Sequence, residues 1–306
     1  MSSQAGSAPS ALAGTLGEVI GEFFGTMILI LFGDGVVATF VLFNKVSTNP
    51  FANEWIVIIL GWGLAVMLGI YVAGAISGAH INPAVTFGLA VTGRHPWGKV
   101  LPYWLGQVVG AFVAGGILWG VYQNALQNTI GSVTNNSQIV NMVGGIFYTR
   151  PKAFVGLPNA FADEFLGTLL LLFLILTIID ARNQPVQGNL NPLIIGFLIV
   201  AIGASFGLNT GYAINPARDF GPRLWVALFT GFAPFTQDNG YFWVPIVGPL
   251  LGGAVGALLF DWTIGRVLQA KMLGPSGTTE TVGEAVREGS PTTETTGRSV
   301  REASPE

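Results

Sequence analysis

Two tripeptides, Asn82-Pro83-Ala84 and Asn215-Pro216-Ala217, are identical, follow an isoleucine in both copies, and stand in very apolar surroundings. An asparagine side chain caps the free backbone N–H groups of a helix start, and proline next to it has a φ already suited to the first turn. Each phrase therefore opens a helix and carries an amide donor at its tip. Glu22 and Glu164 recur in the same way, in Glu-Phe-x-Gly-Thr at 22–26 and 164–168. Such residues can hydrogen-bond neutral polar groups, and the carboxylates can either carry protons or capture backbone donors. There is no nucleophile–base pair to suggest an enzyme. With no cysteine and two histidines, no metal and no cofactor is expected.

These residues need a scaffold within a lipid bilayer. Of 306 residues, 51% are hydrophobic and only 9% charged, with a mean hydropathy of +0.59; a soluble domain is roughly 25% charged. The stretches 55–79, 100–149, 183–217 and 239–260 carry no charge, and about 20 apolar residues suffice to cross the hydrocarbon core. A net charge of −3 with no basic cluster points away from nucleic acid. The pattern predicts an all-α membrane protein with helices at 19–43, 55–76, 100–122, 162–181, 191–209 and 242–267. A polar turn at 182–190 and a long irregular loop at 123–160 separate the groups of helices. Segments 1–15 and 269–306 are expected to be disordered tails, the latter rich in Ser, Thr, Glu and Gly.

Each half of the chain, at 16–122 and 160–268, then holds three spans and one Asn-Pro-Ala phrase. Three is odd, so the second copy enters the membrane inverted, and the functional site is expected where the halves meet near the midplane. After Asn82 about a dozen residues remain helix-compatible before Arg94, roughly 16–18 Å of helix and about half the core. The stretch after Asn215 is expected to be similarly short. Two such half-helices meet N-terminus to N-terminus, each bringing roughly +0.5 charge. That field repels cations, and the amides of Asn82 and Asn215 interrupt proton hopping along a water file. The segments before them, Gly78, Ala79, His80 and Ile81 and likewise Gly211, Tyr212, Ala213 and Ile214, are expected to be extended, their free carbonyls lining one wall. A neutral polar solute suits that wall; an ion does not.

Glu164 and Asp180 bracket 15 uncharged residues, about 22 Å of helix, so Glu164 lies within the core and Glu22 by symmetry does too. We read both as acceptors that hold the half-helix entrances; proton carriage in a secondary transporter is the competing role. Glycine pairs four apart, such as Gly106/Gly110 and Gly252/Gly256, are read as sites of close helix packing within one chain. Asp34 has no role at this level.

The paired Asn-Pro-Ala and Glu-Phe-x-Gly-Thr phrases resemble the major intrinsic protein (aquaporin) family over about residues 16–268. The resemblance implies six transmembrane helices with two re-entrant half-helices, a channel rather than an enzyme, a homotetramer, and a cell (plasma or inner) membrane location with cytoplasmic termini. Arg94, Lys99, Arg182, Arg266 and Lys271 would then face inward, and Lys45, Arg150, Lys152 and Arg223 outward. The family's outer filter falls on Trp62, Gly203, Tyr212 and Arg218. Gly203, where water-selective members carry histidine, is expected to leave room. Trp62 and Tyr212 would form an apolar corner, and Arg218 would donate to hydroxyls. With Asp219 and Pro245 as markers, the resemblance is to the glycerol-facilitator (aquaglyceroporin) branch, with Tyr212 where that branch usually has phenylalanine. It implies passive conduction of glycerol, water and other small neutral solutes such as urea. A mainly water-selective channel and a proton-coupled transporter using Glu22 and Glu164 are the alternatives.

Overall fold

A computed structural model describes residues 10–43 and 54–273. Their elements are α1 (Thr15–Phe43), α2 (Trp55–Ser77), α3 (Pro83–Val91), α4 (Val100–Val121), α5 (Gln123–Ile130), α6 (Asn136–Phe147), α7 (Leu157–Ile179), α8 (Asn191–Thr210), α9 (Pro216–Thr230), α10 (Ala233–Thr236), α11 (Val244–Trp262) and α12 (Ile264–Leu273). Six segments, on α1, α2, α4, α7, α8 and α11–α12, are long and apolar enough to cross a bilayer. α2 and α8 both stop at a glycine with positive φ, Gly78 and Gly211, a backbone state that side chains disfavour. The half-helices α3 and α9 start just beyond.

The two halves are built alike. α1 packs on α2 and α4, and α7 packs on α8 and α11. The half-helices cross over: α3 lies against α11 of the second half and α9 against α4 of the first. Glycine makes the tightest contacts possible. A Cβ at Gly110 would run into the Phe23 carbonyl of α1, and one at the repeat-equivalent Gly252 into the Phe165 carbonyl of α7. The expected intrachain role of these glycines is therefore visible as helix backbone lying on helix backbone.

Four expectations are corrected. The loop expected over 123–160 contains two helices, α5 and α6. α6 buries Val140, Val143, Gly144 and Phe147, a helical spacing too short and too interrupted by asparagine to stand out as a span. The second half-helix is not similarly short: α3 has 9 residues and α9 has 15, about 14 and 22 Å, because α9 continues through Pro222. The helix expected over 242–267 is interrupted at Thr263, between α11 and α12. A turn at Ala11–Ala13 and the start of α1 occupy part of the expected N-terminal tail, and α12 runs into the expected C-terminal one. The rest of both tails, 1–9 and 274–306, lies outside the described residues, as does Lys45.

Candidate solute pathway

The tips of the two half-helices touch. Asn82 Oδ1 accepts from the Ala84 N–H at 2.8 Å, and Asn215 Oδ1 accepts from the N–H groups of Ala217 and Arg218 at 3.0 and 3.3 Å. Both are helix caps of the kind worth about 1 kcal/mol. The amide nitrogens reach across: Asn82 Nδ2 donates to the Ile214 carbonyl at 2.8 Å, and Asn215 Nδ2 donates to the Ile81 carbonyl at 2.9 Å. One N–H of each amide is thereby spent on the opposite loop and one remains. Two of the carbonyls expected to be free, those of Ile81 and Ile214, are likewise taken.

The approach segments are not extended. φ is +84° at Gly78, +52° at Ala79 and +43° at Ile81, and +97°, +38° and +43° at Gly211, Tyr212 and Ile214. Positive φ breaks the residue-by-residue alternation of an extended strand. At non-glycine residues it costs roughly 1–3 kcal/mol each unless the surroundings impose it. The glutamates impose it. Glu22 accepts from the His80 and Ile81 N–H groups at 2.9 and 2.6 Å and from Ser77 Oγ at 2.5 Å. Glu164 accepts from the Ala213 and Ile214 N–H groups at 2.9 and 2.8 Å and from Thr210 Oγ1 at 2.8 Å. Each is fully buried. Gln107, which the sequence reading missed, donates to Glu22 Oε2 at 2.7 Å and to Thr86 Oγ1 at 3.0 Å. In the other half Asp163 Oδ1 accepts from Asn209 Nδ2 at 3.0 Å, and the single Thr210 hydroxyl hydrogen lies between Asp163 Oδ2 and Glu164 Oε1, at 2.9 and 2.8 Å.

Two cavities, of about 170 and 210 Å³, run along this junction and share Trp62, Tyr212 and Arg218. The first is lined by Gly78, Ala79, His80, Ile81, Asn82, Ala213, Ile214 and Asn215, with an aliphatic facing wall from Leu29 to Ile199. The second opens past Gly211, Thr149 and Arg150 to Lys152. Where they meet, the Arg218 guanidinium carbon stands 4.1 Å from the Trp62 ring centroid, a cation–π arrangement. His80 is held in place: its Nδ1 lies 3.1 Å from Thr86 Oγ1, and its ring packs on His95 and Tyr103.

Gly203 does not leave an opening, and it lines neither cavity. A Cβ there would meet Tyr212 Cζ at 2.7 Å and its hydroxyl oxygen at 2.9 Å. The tyrosine ring fills the space that the missing side chain vacates. Its hydroxyl is buried with no hydrogen-bond partner among the described residues. Trp55, another residue missed, donates from Nε1 to the Gly203 carbonyl at 3.1 Å and stands edge-on to Tyr212.

Asp34 and Asp219 sit close to the filter. Arg218 Nη1 donates to Asp34 Oδ1 at 3.1 Å and reaches the Phe147 carbonyl at 3.4 Å. Asp219 Oδ2 accepts from the N–H and hydroxyl of Thr149 at 2.9 and 2.6 Å, and Asp219 Oδ1 accepts from Arg223 Nε at 2.7 Å. Arg223 goes on to donate to the Pro234 and Thr149 carbonyls. Its side chain is buried. Pro245 is buried in the first turn of α11 and lines neither cavity.

Comparison with known proteins bears on the family and the fold. The signature of the family described as "Major intrinsic protein" matches residues 10–260. Glycerol uptake facilitator protein 3 of Lactiplantibacillus plantarum is 44% identical over 244 residues, covering 80% of this chain and 95% of that protein. Aquaporin-9 of Homo sapiens is 42% identical over 247 residues, 79% of this chain and 81% of that one. The X-ray structure of the aquaglyceroporin from Plasmodium falciparum superposes with a TM-score of 0.75 at 34% identity, covering 84% of this chain and 99% of that chain. The chain therefore belongs to the major intrinsic protein family and is an integral, multi-pass membrane protein with the aquaporin fold.

Proposed function

We propose that the protein is a passive channel for glycerol and other small neutral solutes, conducting water as well and excluding ions and protons. The observation that carries this reading is the junction of the two cavities, whose shared lining is two aromatic rings, Trp62 and Tyr212, and the Arg218 guanidinium. The rings accept a carbon backbone, and the arginine donates to hydroxyls. In this reading Trp62, Gly203, Tyr212 and Arg218 form the selectivity filter, with Gly203 acting as the seat of Tyr212. Asn82 and Asn215 form the central constriction, and the loop segments 78–81 and 211–214 form its polar wall. Glu22 and Glu164 support the loops. Similarity to proteins named glycerol uptake facilitator and aquaglyceroporin supports the choice of solute.

Residues 16–268 form the channel unit in this proposal, flanked by tails. The protein acts as a homotetramer in the plasma or inner membrane with both termini in the cytoplasm, and it catalyses no reaction. Light scattering of the detergent-purified protein should give the mass of four chains, and protease accessibility of terminal tags in sealed vesicles should give the orientation.

The function is tested by stopped-flow light scattering on proteoliposomes. A sucrose step should cause fast shrinkage, and a glycerol step fast shrinkage followed by fast re-swelling. Shrinkage without re-swelling would move the protein to a water-selective channel. Glycerol uptake that saturates and follows an imposed pH gradient would replace the channel by a proton-coupled transporter.

A further inference from the structure

Asp34, on α1, has no counterpart in the second half. It lies 12 residues after Glu22; the position 12 after Glu164 in the other half is Leu176. Arg218 lies 3 residues after Asn215, and the position 3 after Asn82 is Val85. Acid and arginine are thus both present at one end of the pathway, and both are replaced by aliphatic residues at the symmetry-related end. In space the two charges meet, although they are 184 residues apart in sequence. The carboxylate is fully buried, and Arg218 is 5% exposed. Asp34 Oδ2 has no hydrogen-bond partner among the described residues, so the arginine is the one charged group this carboxylate bonds there. The preceding residue, Gly33, is where the Trp62 ring lies directly on α1, since a Cβ there would overlap the ring. One turn of α1 therefore backs two walls of the filter.

A guanidinium that donates to solute hydroxyls also attracts anions, and the half-helix N-termini add to the same positive field. We propose that Asp34 is a specificity-determining residue of the outer filter: its carboxylate, buried behind Arg218, cancels the guanidinium charge so that the donors serve neutral solutes without drawing anions. Asp34 acts through Arg218 and does not touch solute, so it is a positioning residue. The proposal rests on the filter reading given above.

The test compares wild type, Asp34→Asn and Asp34→Asn/Arg218→Gln in proteoliposomes, with nitrate as a small planar anion that fits a guanidinium. Swelling in potassium nitrate with valinomycin reports anion entry, and a sucrose step on the same vesicles reports water. The ratio of nitrate to water permeability should rise by about tenfold or more in Asp34→Asn, because an unneutralised charge acts at close range in a poorly solvated site. Nitrate entry should fall back below that of Asp34→Asn in the double variant, where charge and counter-charge are removed together. A wild-type ratio in folded Asp34→Asn overturns the proposal, and so does a double variant that leaks as much as the single one. If Asp34→Asn does not yield monodisperse protein, the double variant decides. Its recovery as a folded, anion-tight channel supports the charge pairing, and its failure overturns it. Glycerol re-swelling of wild type is recorded in parallel, so that loss of the glycerol reading is told apart from loss of this one.

Discussion

At Gly203 the absent side chain is occupied by another residue rather than by solvent. Ile59 Cγ2 would lie 2.8 Å from a Cβ at this position, on top of the contact with Tyr212. Alanine therefore has to push the tyrosine ring out of its seat, toward the shared end of the two cavities. Gly203→Ala should lower the ratio of glycerol to water permeability by about tenfold, the usual size of a one-carbon effect in a tight apolar pocket. The paired sucrose and glycerol steps measure it directly. Tyr212→Phe removes a buried hydroxyl that bonds nothing among the described residues. Freed of that desolvated group, the variant should be more stable by about 1 kcal/mol. The readout is a higher midpoint of thermal unfolding in detergent, with glycerol re-swelling at least as fast as in wild type. A lower midpoint would mean that the hydroxyl has a partner in the membrane.

At the scale of elements, the half-helix entrances depend on charge-assisted acceptors. Glutamine at 164 has one carbonyl oxygen where the carboxylate uses both, Oε1 for Ala213 and Oε2 for Ile214. One backbone N–H would then face an amide N–H₂. Glu164→Gln should lose about 1–3 kcal/mol, the cost of a buried donor left without a partner, seen as a lower folded yield and thermal midpoint. A proton-coupled transporter predicts the reverse pattern, with folding intact and uptake uncoupled from pH. The asparagine tips give a second test at this scale. Asn82→Ala and Asn215→Ala each remove a cap and one bond across the junction. Because both act on the same contact, the double variant should lose less stability than the sum of the single ones, by about 0.5–3 kcal/mol.

Over the whole molecule, the described helices close a complete inverted repeat between α1 and α12. A chain shortened to remove residues 274–306 should fold and conduct glycerol at an unchanged rate per channel, as checked by re-swelling at matched protein content. The six spans, the half-helix starts and the two glutamates were legible beforehand because each rests on a local rule. Hydropathy over about 20 residues marks a span, and Asn-Pro marks a helix start wherever it occurs. α5 and α6 were not legible, since their apolar faces are short and only the hollow between α1 and α9 makes them worth burying. Trp55 and Gln107 were missed because indole and amide groups have no preferred partner until two helices meet.

Capping, which needs only near neighbours, determines that half-helices start at Asn82 and Asn215, and the odd number of spans in each repeated half determines that they enter from opposite faces. Which donors stay free is decided by tertiary structure alone. The asparagine amides are half spent on each other's loops, Tyr212 fills the space at Gly203, and Asp34 meets an arginine from the other half. Each of these contacts joins groups from segments that pack together only in the folded protein. Hydrogen-bond and van der Waals forces act over a few ångströms, and sequence separation carries no information about distances of that size.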